Sequence, residues 1–268
     1  MNSERTAGRQ LPAVPFNMIR KQQIRLAVVT LLLLFISCGK RQYGIEQPDS
    51  TYTVADTPVS GLSGICFNAA KTGFYAVSDK TGIYELTVTG TLVRRLPYEG
   101  GRDLEAVSLH PLTHKLILAD ESLMDILQLT DSENGLLTLA HIDITGGVSN
   151  KGLEGLSCGP DTMYIVNQAS PCLLIKYVLS TGEEAARIPI SFAVYLSDIF
   201  YDNTDQTLWI CDSEQKQLFH CSNSGRLLSS QSISFIQKAE ALVIDRDAGV
   251  AWIGCDATGK LYRVTLQH

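Results

Sequence analysis

Three glutamates recur at matching places in this chain and could act together on a cation. Glu105 stands in Arg102-Asp103-Leu104-Glu105-Ala106-Val107, Glu154 in Asn150-Lys151-Gly152-Leu153-Glu154-Gly155-Leu156, and Glu240 in Lys238-Ala239-Glu240-Ala241-Leu242. Two further copies keep the frame with serine at the key place: Gly61-Leu62-Ser63-Gly64-Ile65 and Tyr195-Leu196-Ser197-Asp198-Ile199. Crowded carboxylates repel one another unless a cation or protons neutralise them. An oxygen-only donor set without histidine or thiol favours calcium over zinc or copper. The expected metal ligands are Glu105, Glu154 and Glu240, with Asp198 one step along, and Ser63 and Ser197 complete the ring. The same glutamates could instead accept hydrogen bonds from a neighbouring backbone. Arg102, Lys151 and Lys238, two or three residues ahead of them, could neutralise them without metal.

The elements that must position these residues follow from their spacing. The key positions 63, 105, 154, 197 and 240 lie 42, 49, 43 and 43 residues apart. A period in the low forties filled with short strands is the size of one four-stranded propeller blade. A second motif runs in step, a short apolar run closing on small or acidic residues. Its copies include Phe74–Asp79, Leu116–Glu121, Met163–Gln168, Leu208–Ser213 and Trp252–Asp256. The acids here (Asp79, Asp120, Glu121, Asp212, Asp256) sit at strand ends, where capping of a turn is the simplest role.

No stretch after Thr51 holds a sustained helical period. The last unit, from Glu240 to His268, is short by one strand, and Thr51–Thr57 is unclaimed. The expectation is an all-β, five-bladed β-propeller of four-stranded antiparallel sheets, its last blade closed by the N-terminal strand; six blades are the alternative. Equivalent first strands would line one channel and bring the key residues to one level.

The first fifty residues carry a different signal. Arg20, Lys21 and Arg25 precede an apolar run from Leu26 to Ser37. At 1.5 Å per residue such a run reaches about 18 Å as a helix, short of the ~30 Å of a bilayer core. A basic segment, a short apolar core and small residues read as a signal peptide over 1–37, with Met18 as a plausible true start. Phe35-Ile36-Ser37-Cys38-Gly39 looks like a lipoprotein cleavage box, so Cys38 is the expected lipidation site and 38–50 a tether. Two or more acyl chains would anchor residues 51–268, a single propeller domain, to the plasma or outer membrane, outside the cytoplasm.

Loss of residues 1–37 removes five basic residues and one acid from totals of 22 and 28, leaving 17 against 27 and a net of −10. Such a surface argues against nucleic acid and suits cations. Six cysteines follow Cys38, with no CxxC pair and no zinc spacing. No disulfide framework is expected, although Cys211 and Cys221 could meet across one hairpin. There is no nucleophile elbow, P-loop or dinucleotide fingerprint, and none of the five histidines falls on a repeated inner position.

The pairing of Leu62-Ser63-Gly64, Asp103-Leu104-Glu105, residues 150–156 and Leu196-Ser197-Asp198 with the later Val77-Ser78-Asp79 type strands resembles the SdiA-regulated family of bacterial envelope proteins. The resemblance spans about residues 55–266. It implies a five-bladed propeller distantly similar to NHL-repeat propellers, a calcium site and a membrane-anchoring N-terminus. Ala106 and Ala241 depart from the family pattern, where glycine commonly follows the glutamate. Two functions are compatible with this reading. One is a lipid-anchored binding or scaffold propeller with calcium in an acidic channel and an unidentified protein or small-molecule partner. The alternative is a calcium-dependent hydrolase of the lactonase or phosphotriesterase type.

Overall fold

A computed structural model describes residues 52–98, 100, 102–130, 135–144 and 151–267. The expected signal peptide, lipidation site Cys38 and tether, and Asn150, lie outside the described residues. Twenty strands and no helix occur among the described residues. They form five four-stranded antiparallel sheets arranged as a five-bladed β-propeller.

Blade 1 holds β2 (Gly64–Phe67), β3 (Gly73–Ser78), β4 (Gly82–Thr87) and β5 (Leu92–Leu96). Blade 2 holds β6 (Leu104–Leu109), β7 (Leu116–Asp120), β8 (Asp125–Leu129) and β9 (Leu136–His141). Blade 3 holds β10 (Leu153–Cys158), β11 (Thr162–Asn167), β12 (Leu173–Val178) and β13 (Glu183–Pro189). Blade 4 holds β14 (Leu196–Asp202), β15 (Thr207–Asp212), β16 (Gln217–Ser222) and β17 (Leu227–Ser232). Blade 5 takes β18 (Ala239–Asp245), β19 (Val250–Cys255) and β20 (Lys260–Thr265) from the C-terminus and β1 (Tyr52–Asp56) from the N-terminus.

The N-terminal strand therefore seals the ring, as the shortfall in the last repeat requires. Tyr52 to Asp56 pair with Val264 to Lys260, and Tyr52 stacks on Phe235 with ring centroids 4.2 Å apart. The chain leaving β1 is clasped at Gly259, whose carbonyl accepts the Thr57 amide at 3.0 Å. Gly259 has φ +62°, and a Cβ there would stand 2.7 Å from the Val59 carbonyl oxygen. Only glycine takes that conformation and that contact without strain.

Burial falls from the axis outward. The inner strand β10 is buried throughout, while β13, at the outer edge of the same blade, is mostly exposed. Inner strands covered on both faces read as near-continuous apolar runs; outer strands need no such pattern. The apolar residues make five cores, one at each seam between blades. At the seam of blades 1 and 2, Val77 and Ile83 meet Leu104 and Leu118. At the seam of blades 4 and 5, Trp209 and Leu218 meet Leu242 and Ile253. Each blade is thus stabilised by its two neighbours, so closure by β1 matters to the whole ring.

Polar side chains stitch the inner strands together. Ser108 Oγ accepts the Cys158 amide, and Ser157 Oγ accepts the Tyr201 amide, each at 2.9 Å. The six cysteines among the described residues are free thiols. Cys211 faces Leu218 and Cys221 faces Leu208, so the two do not oppose each other across their hairpin.

Candidate functional site

The repeated key residues owe their orientation to a repeated irregularity. Between β6 and β7 the register passes from Leu104↔Asp120 to Ala106↔Ala119, which leaves Glu105 as an extra residue. Glu154, Ser197 and Glu240 are displaced in the same way at the starts of β10, β14 and β18. In blade 1 the Ser63 amide donates to Val77 O, while the next residue, Gly64, pairs with Val77. A bulge re-aims the side chain of its extra residue. Small neighbours let the inner strands converge. A Cβ on Gly64 would lie 2.9 Å from Ala106 Cα, and one on Gly155 would lie 2.7 Å from Asp198 Cα.

Three of the four bulged side chains, with Ser63, open into one acidic well of about 320 Å³. Glu105, Glu154 and Glu240 line it, joined by Asp79, Asp103, Glu121 and Asp256. Against these seven carboxylates stands one lining cation, Lys238, whose Nζ is 2.7 Å from both Glu240 Oε1 and Asp256 Oδ2. Asp103, Glu105 and Glu121 each bring an oxygen to within 4.8 Å of the others. Glu121 is held by the Gly152 amide, which donates to its Oε1 at 2.8 Å across the seam of blades 2 and 3. Gln168 also lines the well and is only 2% exposed, yet its Oε1 has no hydrogen-bond partner among the described residues. A buried acceptor without a donor calls for an ion or water.

The carboxyls carry the electrostatic signature of this crowding. Burial pushes Glu105 up to about 8; the Ser63 hydroxyl opposes the rise and Asp103 adds to it. Burial likewise raises Glu240 to about 7 in spite of Lys238. Glu154 rises well above the usual carboxylate range through burial, then through the charges of Glu105, Glu121 and Glu240. Glu121 and Asp103 are raised too, burial leading in both.

The expected ligands separate into two groups. Glu105, Glu154 and Glu240 come together, as their period requires, and Ser63 joins them. Asp198 is set apart from the well. Its Oδ2 accepts the Leu242 amide at 2.6 Å and its Oδ1 accepts the Ile199 amide at 2.8 Å. The residue after the bulged one points elsewhere, so adjacency to Ser197 does not carry Asp198 to the well. Ser197 is also engaged elsewhere, its hydroxyl donating to Ala239 O at 2.7 Å. Asp103, Glu121, Asp79, Asp256 and Gln168 are the well residues that the repeat of single glutamates did not single out as ligands. Glu121 and Gln168 end the second motif in blades 2 and 3, so two motifs in step held the signal. Asp120 and Asp212, by contrast, cap turns: Asp120 accepts from Ser122, and Asp212 from the amides of Glu214 and Gln215.

Of the three candidate counter-charges, Lys238 alone meets a repeated glutamate. Arg102 pairs with Asp120 at 3.3 Å, and Lys151 lies over the Tyr195 ring.

The well is blind. Two residues beyond each key position the chain places Ile65, Val107, Leu156, Ile199 and Leu242, all at most 3% exposed. This aliphatic ring fills the axis below the carboxylates. The cavity on its far side shares no lining residue with the well.

The description of the SdiA-regulated family matches residues 43–190, more than half of the sequence. The chain belongs to the SdiA-regulated family. The match covers blades 1 to 3, which contribute Glu105, Glu154, Asp103 and Glu121 to the well. No curated protein matches the sequence. Among solved structures, this family member is similar to an auxiliary nutrient binding protein from Bacteroides ovatus ATCC 8483. The TM-score is 0.53 at 13% identity, over 80% of this chain and 61% of that one. An auxiliary nutrient binding protein from Bacteroides thetaiotaomicron VPI-5482 gives 0.52 at 12% identity, over 76% and 58%. A chain of the nidogen/laminin complex gives 0.51 at 15% identity, over 76% and 79%. The chain thus spans about three fifths of the Bacteroides proteins, and at these identities the likeness is one of fold.

Proposed function

We propose that this protein is a lipid-anchored binding propeller of the bacterial cell envelope, with calcium held in the acidic well. The observation that carries the metal reading is the convergence of Asp103, Glu105 and Glu121 within 4.8 Å, beside the orphaned Gln168 oxygen. The donor set fits a hard cation: carboxylates, one amide oxygen and no thiol or imidazole. Asp103, Glu105 and Glu121 would hold the ion, with Glu154 and Gln168 within the same well. Bound calcium would supply positive charge to a site whose carboxylates otherwise share protons. The chain as a whole is also acidic, with a net charge of −6, which favours a cation over an anion.

A binding role is supported by the blind, rigidly framed well and by the fold shared with two proteins described as auxiliary nutrient binding. Those descriptions, with the basic-apolar leader and Cys38, support a place outside the cytoplasm. The hydrolase alternative has less support: among the described residues no histidine lines the well to move protons.

Calorimetric calcium titration of the purified chain tests the metal. Saturable binding that falls at least tenfold in Glu105→Gln and in Glu121→Gln is the expected result; absence of binding in the unaltered protein removes the calcium reading. A lactone and phosphotriester screen on the same material tests hydrolysis. Loss of membrane fractionation and of acyl labelling in Cys38→Ser tests the anchor.

A further inference from the structure

The opposite mouth of the channel has a different chemistry. Beyond the aliphatic ring lies a cavity of about 340 Å³, within the size range of small-ligand pockets. Its walls are mainly apolar, and Phe67, Leu109 and Phe200 are only half-buried there. Half-buried rings and aliphatic side chains around one concavity gain by covering with an apolar body.

The polar groups at this mouth define the other end of the ligand. Apart from His114, three charged side chains line the cavity: Lys71, Asp202 and Arg246. Asp202 pairs with Arg246, whose Nε lies 2.9 Å from Asp202 Oδ2, and Arg246 also meets Asp205, which is outside the cavity lining. Lys71 is the lining cation with no carboxylate partner inside the cavity; its ion-pair partner Asp247 is 3.8 Å away and 94% exposed, so that attraction is screened. Ser157 Oγ accepts the Tyr201 amide at 2.9 Å, which leaves its hydroxyl hydrogen to donate. One lining cation whose carboxylate partner is out in solvent, and a hydroxyl donor, suit a single anionic group.

We propose that this second mouth is a binding site for a small apolar molecule bearing one anionic group, independent of the acidic well. The aliphatic ring of Ile65, Val107, Leu156, Ile199 and Leu242 insulates the two sites, so each fills without the other. The protein would then present a cation site at one end of its axis and an apolar-anion site at the other.

The test uses the full purified chain and 8-anilinonaphthalene-1-sulfonate, an apolar monoanion whose fluorescence reports transfer from water. One dye per native chain is expected, displaced by octanoate at least tenfold more effectively than by octan-1-ol. Ala69→Trp, on the exposed rim, should block the mouth, and Lys71→Glu should reverse its charge. Each is expected to weaken the dye at least tenfold with the melting temperature unchanged, while Glu105→Gln leaves dye binding intact. Undiminished dye binding in both rim variants overturns the site. Equal displacement by octanol overturns the anionic requirement, and loss of the dye in Glu105→Gln places it in the well and overturns the assignment.

Discussion

Asp198 Oδ2 accepts the Leu242 amide at 2.6 Å, tying the inner strand of blade 4 to that of blade 5. Its other oxygen accepts the Ile199 amide, and burial holds the carboxyl well above the usual range against these donors. A buried acidic residue beside a ring of carboxylates is here a fastener between blades.

Asp198→Ala is therefore expected to destabilise the propeller without touching the well. Two buried amides lose their acceptor, at about 1–3 kcal/mol for each unsatisfied group. Urea unfolding should show a midpoint shift of that size. Calcium affinity should stay within about twofold, and a large drop in it would return Asp198 to the ligand set.

In the absence of calcium, stability should fall as pH rises. Glu105 and Glu240 ionise at about 8 and about 7 in the folded chain, and Glu154 is raised as well, against an ordinary 4.5. The folded state then holds more protons than the unfolded one between about pH 4.5 and 8, so raising the pH through that window favours unfolding. Melting in a chelator from pH 5 to pH 9 should show a decline on the order of 5 °C, since ~1 kcal/mol moves a domain of this size by about 2–4 °C. Saturating calcium should flatten the decline; a rising curve in chelator would contradict the crowding.

Lys238→Met should tighten calcium binding. The ammonium lies 2.7 Å from Glu240 and Asp256 and competes with any other cation in the well. A gain of about three- to tenfold corresponds to roughly 0.7–1.4 kcal/mol. Weaker binding in this variant would show that the lysine supports the site.

Gly155→Ala should cost stability at the seam of blades 3 and 4. Its Cβ would stand 2.7 Å from Asp198 Cα and 2.8 Å from Ile199 N, both backbone atoms that cannot swing aside. Overpacking of this kind costs typically about 1–3 kcal/mol. Gly100, with nothing within 4 Å of its Cβ position, provides a control whose alanine variant should unfold with little change.

Removal of residues 1–57 should open the ring. The deletion takes away the five paired residues of β1 and the Tyr52–Phe235 stack. At roughly 1 kcal/mol per hydrogen bond the loss is about 3–5 kcal/mol, and it uncovers the edge of β20 to other chains. Size-exclusion chromatography and thermal melting should report association and a lower midpoint.

The blade count, the closing strand and the gathering of Glu105, Glu154 and Glu240 were all legible in the chain. These depend on period and on local strand and turn chemistry, which a linear repeat records. Which neighbours complete the well was not. A bulge adds a residue without a compositional mark, and it sends Glu105 into the well while Asp198, next to bulged Ser197, turns to the Leu242 amide. Asp103 and Glu121 lie on different strands of blade 2 and meet only because β6 and β7 pair and Gly152 of the next blade holds Glu121 in place. Periodicity sets how often a residue type returns to the axis; the direction of its side chain is set by contacts between blades, and those exist only after the ring has closed.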